Sequence, residues 1–467
     1  MQKTVSSNPM EKTTSTCCAQ NTSEKDDKGG LCLEDYISGL PDVILVSILS
    51  LLTMKEAGRT SLLSKRWRYT WTYIAGLNFD SLPIRYGIKL REKKVEVERP
   101  LYLSWVNQVL KSHNAPTIDE FRVQFDLDET CRLDIDNWVN FAMEKRVRRL
   151  ELDFKETLLY RREEEDYNFP IPDGITNHLH GFASCNSLTN LLLRRINVTG
   201  QVLEFFLMNC PFLEQLSVKE SDGLVNLKVP DLSLNLMRLE ISHCFNVESI
   251  EISAMNLMSF KYFGPKISLP FKNVQPPIDL FIGGEYCDYL IYKFLEISSY
   301  LSQLESLELQ MTSMIENSLE DAKFPILNKL KRLELIISAA DDEDLLVFAP
   351  LIKACPFLSK FVVQLHWYEP LGKRRKHFEF TSWPHQYLKV VEFNGFVGCT
   401  NDVELAMYLI KSAVNLEKIT FDPRHPLLIG TPWEFMETKR KKAARKRAKK
   451  LGTKLPIGAA LAEILPH

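Results

Sequence analysis

The amino-acid sequence predicts an α/β chain: a small all-α block near the N-terminus, then a long solenoid with a β-strand concave face and helices and irregular turns on its convex side. Three observations lead there. An apolar triad at positions i, i+3 and i+5 recurs along most of the chain, and amphipathic helix patterns precede several of the triads. The third is the stretch LPDVILVSILSLLTMKEAGRTSLLSKRWRYTW, residues 40–71, where an apolar run lies between a Leu-Pro-Asp and a basic patch with two tryptophans. With 467 residues, 45% hydrophobic and 25% charged, the chain can form two or three domains or one elongated repeat domain.

Residues 1–34 read as a disordered tail, because a Ser/Thr/Lys/Asp background with few apolar side chains cannot bury enough surface to offset ordering entropy. The tail lacks the apolar core of a signal peptide, and no run reaches the roughly 18 apolar residues needed to span a bilayer. An intracellular protein, nuclear or cytoplasmic, is expected. The ten cysteines are scattered, with Cys17 and Cys18 the one close pair and no C-x-x-C spacing. Reduced thiols follow, with no metal site, cofactor or disulfide framework. A formal net charge of −2 gives no bulk attraction for nucleic acid or anionic membrane, so neither is an expected partner except through a local patch.

The all-α block occupies residues 35–80. Pro41 suits a helix start and Asp42 complements the helix dipole. Over the next three turns Ile44, Leu45, Ile48, Leu49 and Leu52 share one wide face, while Val43, Val46 and Leu51 lie elsewhere. Thr53 and Glu56 have the spacing of a capping box for a second helix, and a third begins near Ser64. Three short helices cannot bury all of this apolar surface among themselves, so part of it should meet another partner.

After a linker (81–100), the repeats run from 101 to 382. Their triads include Leu188-Leu191-Leu193, Leu213-Leu216-Val218, Leu236-Leu239-Ile241, Leu304-Leu307-Leu309, Leu330-Leu333-Leu335 and Leu358-Phe361-Val363, and the rhythm continues in Leu388-Val391-Phe393 and Leu416-Ile419-Phe421. Triads alone are weak evidence, since a chain this apolar matches at roughly 9% of starting points by chance. Spacing adds weight: Leu304, Leu330, Leu358, Leu388 and Leu416 are 26, 28, 30 and 28 residues apart. Helix-like stretches such as QVLEFFLMNCPF and VELAMYLIKSAV lead into them. This pattern marks a leucine-rich-repeat solenoid. Between 213 and 262 the triads come every ten to twelve residues, which implies coils whose helix is replaced by a second short strand, or alternatively a separate β-domain. In the twice-occurring Cys-Pro-Phe-Leu (210–213 and 355–358), proline closes the helix and cysteine acts as a small buried hydrophobe.

Leu40-Pro41-Asp42, Ile48-Leu49-Ser50, Lys55-Glu56-Ala57, Arg59-Thr60-Ser61, Leu63-Ser64-Lys65-Arg66-Trp67-Arg68 and Trp71 occur in the order of the F-box. On these residues the chain resembles the plant F-box/FBD/leucine-rich-repeat proteins, and residues 383–467, with a basic helix near the end, resemble their C-terminal FBD region. The resemblance implies a non-catalytic substrate receptor of an SCF-type ubiquitin ligase. Its F-box would dock a Skp-type adaptor, and through it a cullin, while the repeats hold an unknown target protein. By position in the motif, Leu40, Pro41, Ile44, Leu45, Ile48, Leu49, Leu62, Leu63 and Trp67 are adaptor-contact candidates, each alternatively a core residue of the block. Glu305, Ser306, Glu308, Lys331, Arg332 and Glu334 stand at strand positions that would face a target. Gly58 replaces a larger apolar residue of the motif, which leaves open a repeat-based scaffold with a degenerate F-box.

KRKKAARKRAKK, residues 439–450, is the densest basic run. It reads as a nuclear import signal or a site for an acidic partner, or else as a solvated helix packing its alanines and Leu451 on the last repeat. KRRKH (373–377) reads as an exposed loop, and the acidic runs 163–166 and 341–344 as loop and helix-start charges. No G-x-S-x-G, phosphate-cradling glycine loop or H-E-x-x-H is present, so no enzymatic activity is expected.

Overall fold

A computed structural model describes residues 37, 39–80, 92–154, 165–170, 185–231, 235–267, 277–301, 303–312, 324–339, 344–367, 383–431, 433–436, 438–456 and 458–463. The tail, the first half of the linker and the KRRKH patch lie outside them.

Three short helices come first: α1 (Asp42–Leu49), α2 (Met54–Arg59) and α3 (Trp67–Thr70). Pro41 is the N-cap of α1, where a missing N–H leaves no hydrogen bond unmade. Thr53 and Glu56 form the capping box the spacing indicated, each side chain meeting the other's backbone N–H at 3.3 and 3.1 Å.

β1 (Gly76–Asp80) follows at once and opens a 14-stranded sheet whose pairings are all parallel. The chain continues through α4 (Glu92–Ser112), β2 (Glu120–Gln124), α5 (Arg132–Glu144), β3 (Arg149–Asp153), β4 (Asn190–Arg194), α6 (Gly200–Asn209) and β5 (Gln215–Lys219). Next come β6 (Asn226–Val229), β7 (Arg238–Ser242), β8 (Ser249–Ile252), β9 (Ser259–Phe263), β10 (Asp279–Gly283) and α7 (Glu285–Leu290). The last part holds β11 (Ser306–Met311), β12 (Arg332–Ala339), α8 (Ala349–Lys353), β13 (Lys360–Trp367), β14 (Val390–Asn394), α9 (Thr400–Ser412), β15 (Lys418–Asp422), α10 (Lys439–Gly452) and β16 (Ala460–Glu463).

Strand order in the sheet follows chain order except that β6 and β8 leave it to pair with each other. Coils 213–262 therefore do carry a second strand in place of a helix. A separate β-domain is excluded, since β5, β7 and β9 are successive neighbours in the main sheet and Leu227, Val229, Ile250 and Ile252 join the same continuous core. Every triad from Leu188 to Phe421 named above points inward and is buried, as the parallel-strand coil requires. Cys210 and Cys355 are buried in that core too, and burial pushes the Cys355 thiol up, so both act as packing residues.

One turn geometry closes many coils. The residue just after the strand is left-handed at Arg195, Glu220, His243, Gly284 and Gly395. At Arg195, Glu220 and His243 its N–H donates to the last carbonyl of the next strand, at 2.7–2.9 Å. Gly395 has no alternative, since a Cβ there would lie 2.2 Å from the Leu365 carbonyl oxygen.

The sheet begins at Gly76, inside the 35–80 block, and α4 begins inside the 81–100 linker. At the other end β14, β15 and β16 extend the same sheet through residues 383–463.

Candidate partner-docking site

The helical block closes its own core with very few residues. Leu45, Leu49, Ala57, Trp67 and Ile74 form it, with Leu40, Val46 and Trp71 packed alongside. Arg66 ties α3 back to α1: its Nε donates to Asp42 Oδ1 at 2.9 Å, and its guanidinium also donates to the Leu40 carbonyl. On the other side Met54 enters the solenoid core, and Lys55 Nζ lies 4.8 Å from the centre of the Trp105 ring.

This core divides the nine adaptor-contact candidates. Leu45, Leu49 and Trp67 are interior, at 0%, 1% and 6% exposure, so they shape the block and are not open to a partner. Leu40 is half-buried. Pro41, Ile44, Ile48, Leu62 and Leu63 are exposed. Two residues that sequence reasoning placed on other faces, Val43 and Leu51, are exposed beside them, as is Leu52. The wide apolar face of α1 and the turn after it is thus two stripes: 45 and 49 turn inward, while 44 and 48 on the helix and 51–52 on the turn are exposed. Leu62, 89% exposed on the turn after α2, adds to the outer set. A monomer gains nothing by holding this much contiguous aliphatic surface in water. Gly58, the departure in the motif, has open space where a Cβ would stand.

The second surface is the concave face of the sheet. Ser306 pairs in register with Arg332 and Glu308 with Glu334. Glu305 and Lys331, just before the two strands, form an ion pair of 2.8 Å, and Arg332 pairs with Glu334. Glu334 is itself buried, and burial followed by the nearby Glu334 charge pushes the Glu308 carboxyl up. The ladder continues with Lys360 to Glu392 at 2.8 Å. Sequence reasoning missed its first half. There Arg122 lies between Asp80 and Glu151 at 3.1 and 3.6 Å, Arg194 binds Glu220 at 2.6 Å, and Lys219 meets Glu240 at 2.8 Å. The signal was available, because these residues lie between or beside the inward leucines, at the strand positions that must face outward.

The remaining charge clusters have local explanations. Asp166 pairs with Arg195 at 2.9 Å, the Glu165 carbonyl accepts from the Glu129 N–H at 3.1 Å, and Asp344 caps a turn by accepting from the Leu346 N–H; residues 163, 164 and 341–343 lie outside the described residues. Among the described residues no group of His, Cys, Asp and Glu has the arrangement of a metal site, and no helix is long and apolar enough to cross a membrane.

Comparison with known proteins agrees with this architecture. The F-box domain model matches residues 37–74, and the At1g61320/AtMIF1 LRR domain model matches residues 175–450. F-box/FBD/LRR-repeat protein At1g13570 of Arabidopsis thaliana is 24% identical over 83% of this chain and 90% of its own length. At4g00160, of the same description and organism, is 24% identical over 83% and 86%. F-box/LRR-repeat protein At3g03360, also of Arabidopsis thaliana, is 30% identical over 48% of this chain and 46% of its own. With the repeat model alone spanning more than half of its length, the chain belongs to the plant F-box/leucine-rich-repeat family.

Proposed function

We propose that this chain is the substrate-recognition subunit of an SCF-type cullin ubiquitin ligase. Its helical block docks a Skp-type adaptor, and through it a cullin, while the concave sheet holds a target protein for ubiquitination. The observation that carries the reading is the outer stripe of α1. Ile44, Ile48, Leu51 and Leu52 stay exposed although the block's core is complete without them, and Leu62 and Leu63 add two more apolar side chains. Such a receptor needs no catalytic group; it acts by raising the effective concentration of one partner beside another. On the concave side Glu305, Ser306, Glu308, Lys331 and Arg332 are within reach of a target, with Glu334 supporting Arg332 from beneath.

The test is a pull-down with a purified Skp-type adaptor. The intact chain should bind. Ile44→Asp with Ile48→Asp should weaken binding by roughly a hundredfold or more, as loss of two central apolar anchors does, with the far-ultraviolet circular dichroism unchanged. Leu45→Asp, inside the core, should lose both. An intact chain that holds a target but no adaptor would be a repeat-based scaffold instead, and the ligase reading would fall.

A further inference from the structure

The C-terminal basic helix has two unlike faces. Ala444, Ala448 and Leu451 are buried and α10 packs on α9, so the packing half of the solvated-helix reading is correct. The opposite face carries Lys439, Lys442, Lys446, Lys449 and Lys450, all exposed and all on one side by helical spacing. No Asp or Glu lies between Thr438 and Pro456, so this stripe has no acidic neighbour in its own segment.

The loop that leads into α10 is unusual in the other direction. Leu427, Ile429, Trp433, Phe435 and Met436 are each about half exposed, within ten residues of chain. The loop is also fixed. Arg424 bridges the Asp422 and Glu434 carboxylates, Glu434 Oε2 accepts from the Gly430 N–H at 2.6 Å, and Lys441 Nζ donates to the Glu434 carbonyl at 2.7 Å. That last bond, made by the buried Lys441 and not by the exposed stripe, joins the loop to the first turn of α10. The fold spends four ionic or charge-assisted contacts on holding apolar side chains in water.

We infer that α10 and the exposed side chains of Leu427, Ile429, Trp433, Phe435 and Met436 form an interfacial surface for an anionic lipid bilayer: those apolar side chains enter the headgroup and acyl boundary while the lysine stripe lies over the anionic headgroups. Exposed aliphatic and aromatic side chains next to a cationic helix face are the combination that binds in the plane of a membrane without crossing it. Each lysine near such a surface contributes on the order of 1 kcal/mol. Nucleic acid suits the site less well: Trp433 and Phe435 could stack on a base, but the other three exposed apolar side chains, Leu427, Ile429 and Met436, offer it no stacking face. The stripe itself is made of flexible, strongly hydrated lysines, with the exposed Arg447 at its edge, and lysines suit a diffuse anionic layer better than fixed two-point recognition of a carboxylate.

The experiment is co-sedimentation of the full chain with vesicles of phosphatidylcholine alone or of phosphatidylcholine with phosphatidylserine. Binding is expected only to the anionic vesicles, and should fall as salt is raised. Lys442→Glu, Lys446→Glu and Lys449→Glu together alter only exposed side chains and should lower it by more than roughly tenfold. Brominated lipid should quench tryptophan fluorescence in the intact chain, and the part of that quenching due to the loop should disappear in Trp433→Phe. No sedimentation with anionic vesicles, equal binding by the triple variant, or binding with no Trp433 quenching would each overturn the proposal. So would tighter binding to single-stranded RNA or to polyglutamate than to the vesicles. Adaptor binding, measured on the same preparations, reads the other end of the chain and is expected to be unaffected.

Discussion

Asp402 is the residue most at odds with its surroundings. It lies in the first turn of α9, fully buried, with Oδ2 accepting from the Val397 and Gly398 N–H groups at 2.9 and 2.7 Å and Oδ1 without a hydrogen-bond partner. Burial outweighs those donors and pushes its carboxyl up to about 7. A folded-state value above the unfolded one means that the protonated form is the stabilising one. Its contribution is fully present below about pH 4 and is lost as pH rises through 7. In Asp402→Asn the amide oxygen keeps both donors and nothing ionises. Relative to the parent chain, the variant's stability from urea unfolding should therefore gain on going from pH 5 to pH 8, by up to about 3 kcal/mol for a single proton, since only the interval from 5 to 7 is crossed. An equal shift in both proteins would refute this. His385, buried and pushed down by that burial, acts in the opposite sense, losing stability as pH falls below the ordinary histidine range; both proteins keep it, so the comparison isolates the carboxylate.

At the scale of elements, α2 shows how a short helix survives a glycine. Its capping box satisfies N-terminal donors, and the Thr53 hydroxyl and N–H hold the Glu56 carboxyl below its usual range. Gly58 has nothing within 4 Å of where a Cβ would be, so its cost is conformational entropy alone. Gly58→Ala should stabilise the chain by about 0.5–1 kcal/mol, read as a higher urea midpoint. Adaptor affinity should be unchanged or slightly tighter, because the helix that borders the outer stripe becomes firmer. A destabilised variant would mean that the glycine answers a steric need absent from this packing.

At the scale of the molecule, the helical block and the solenoid are joined. Met54 is buried in the solenoid core, Asn114 N–H donates to the Thr72 carbonyl at 2.8 Å, His113 bonds the Ile74 carbonyl at 3.0 Å, and Asp119 N–H donates to the Ala75 carbonyl at 2.8 Å. A stack of parallel coils is weaker at an open end than in the middle, since each coil is stabilised by its neighbours; here the block covers that end through the contact of α2 with β1. A fragment of residues 37–74 should therefore lack stable helical circular dichroism on its own, being small and missing its partner surface. A fragment of residues 37–154, which adds β1, α4, β2, α5 and β3, should recover it with a cooperative melt. Full folding by the short fragment would show that the junction is incidental.

Features set by local pattern could be read directly from the chain. The i, i+3, i+5 triads place their residues inward wherever a parallel coil forms, and the Thr53 to Glu56 spacing dictates a cap whatever surrounds it. The same rhythm shortened to ten to twelve residues foretold the second strands β6 and β8. Other features depend on groups far apart in sequence. Leu45 and Ile44 are adjacent and equally apolar, and only the position of Trp67 and Ile74 against α1 sends one inward and leaves the other for a partner. β1 has the composition of the block before it, and its place in the sheet rests on pairing with β2, forty-four residues later at Gly76 and Glu120. Asp402 looks like an ordinary helix-start carboxylate, and its raised pKa comes from its burial in the folded chain. Periodicity and capping are short-range and legible in one dimension; the choice among equivalent apolar faces, and the burial of a given charge, are decided by long-range packing.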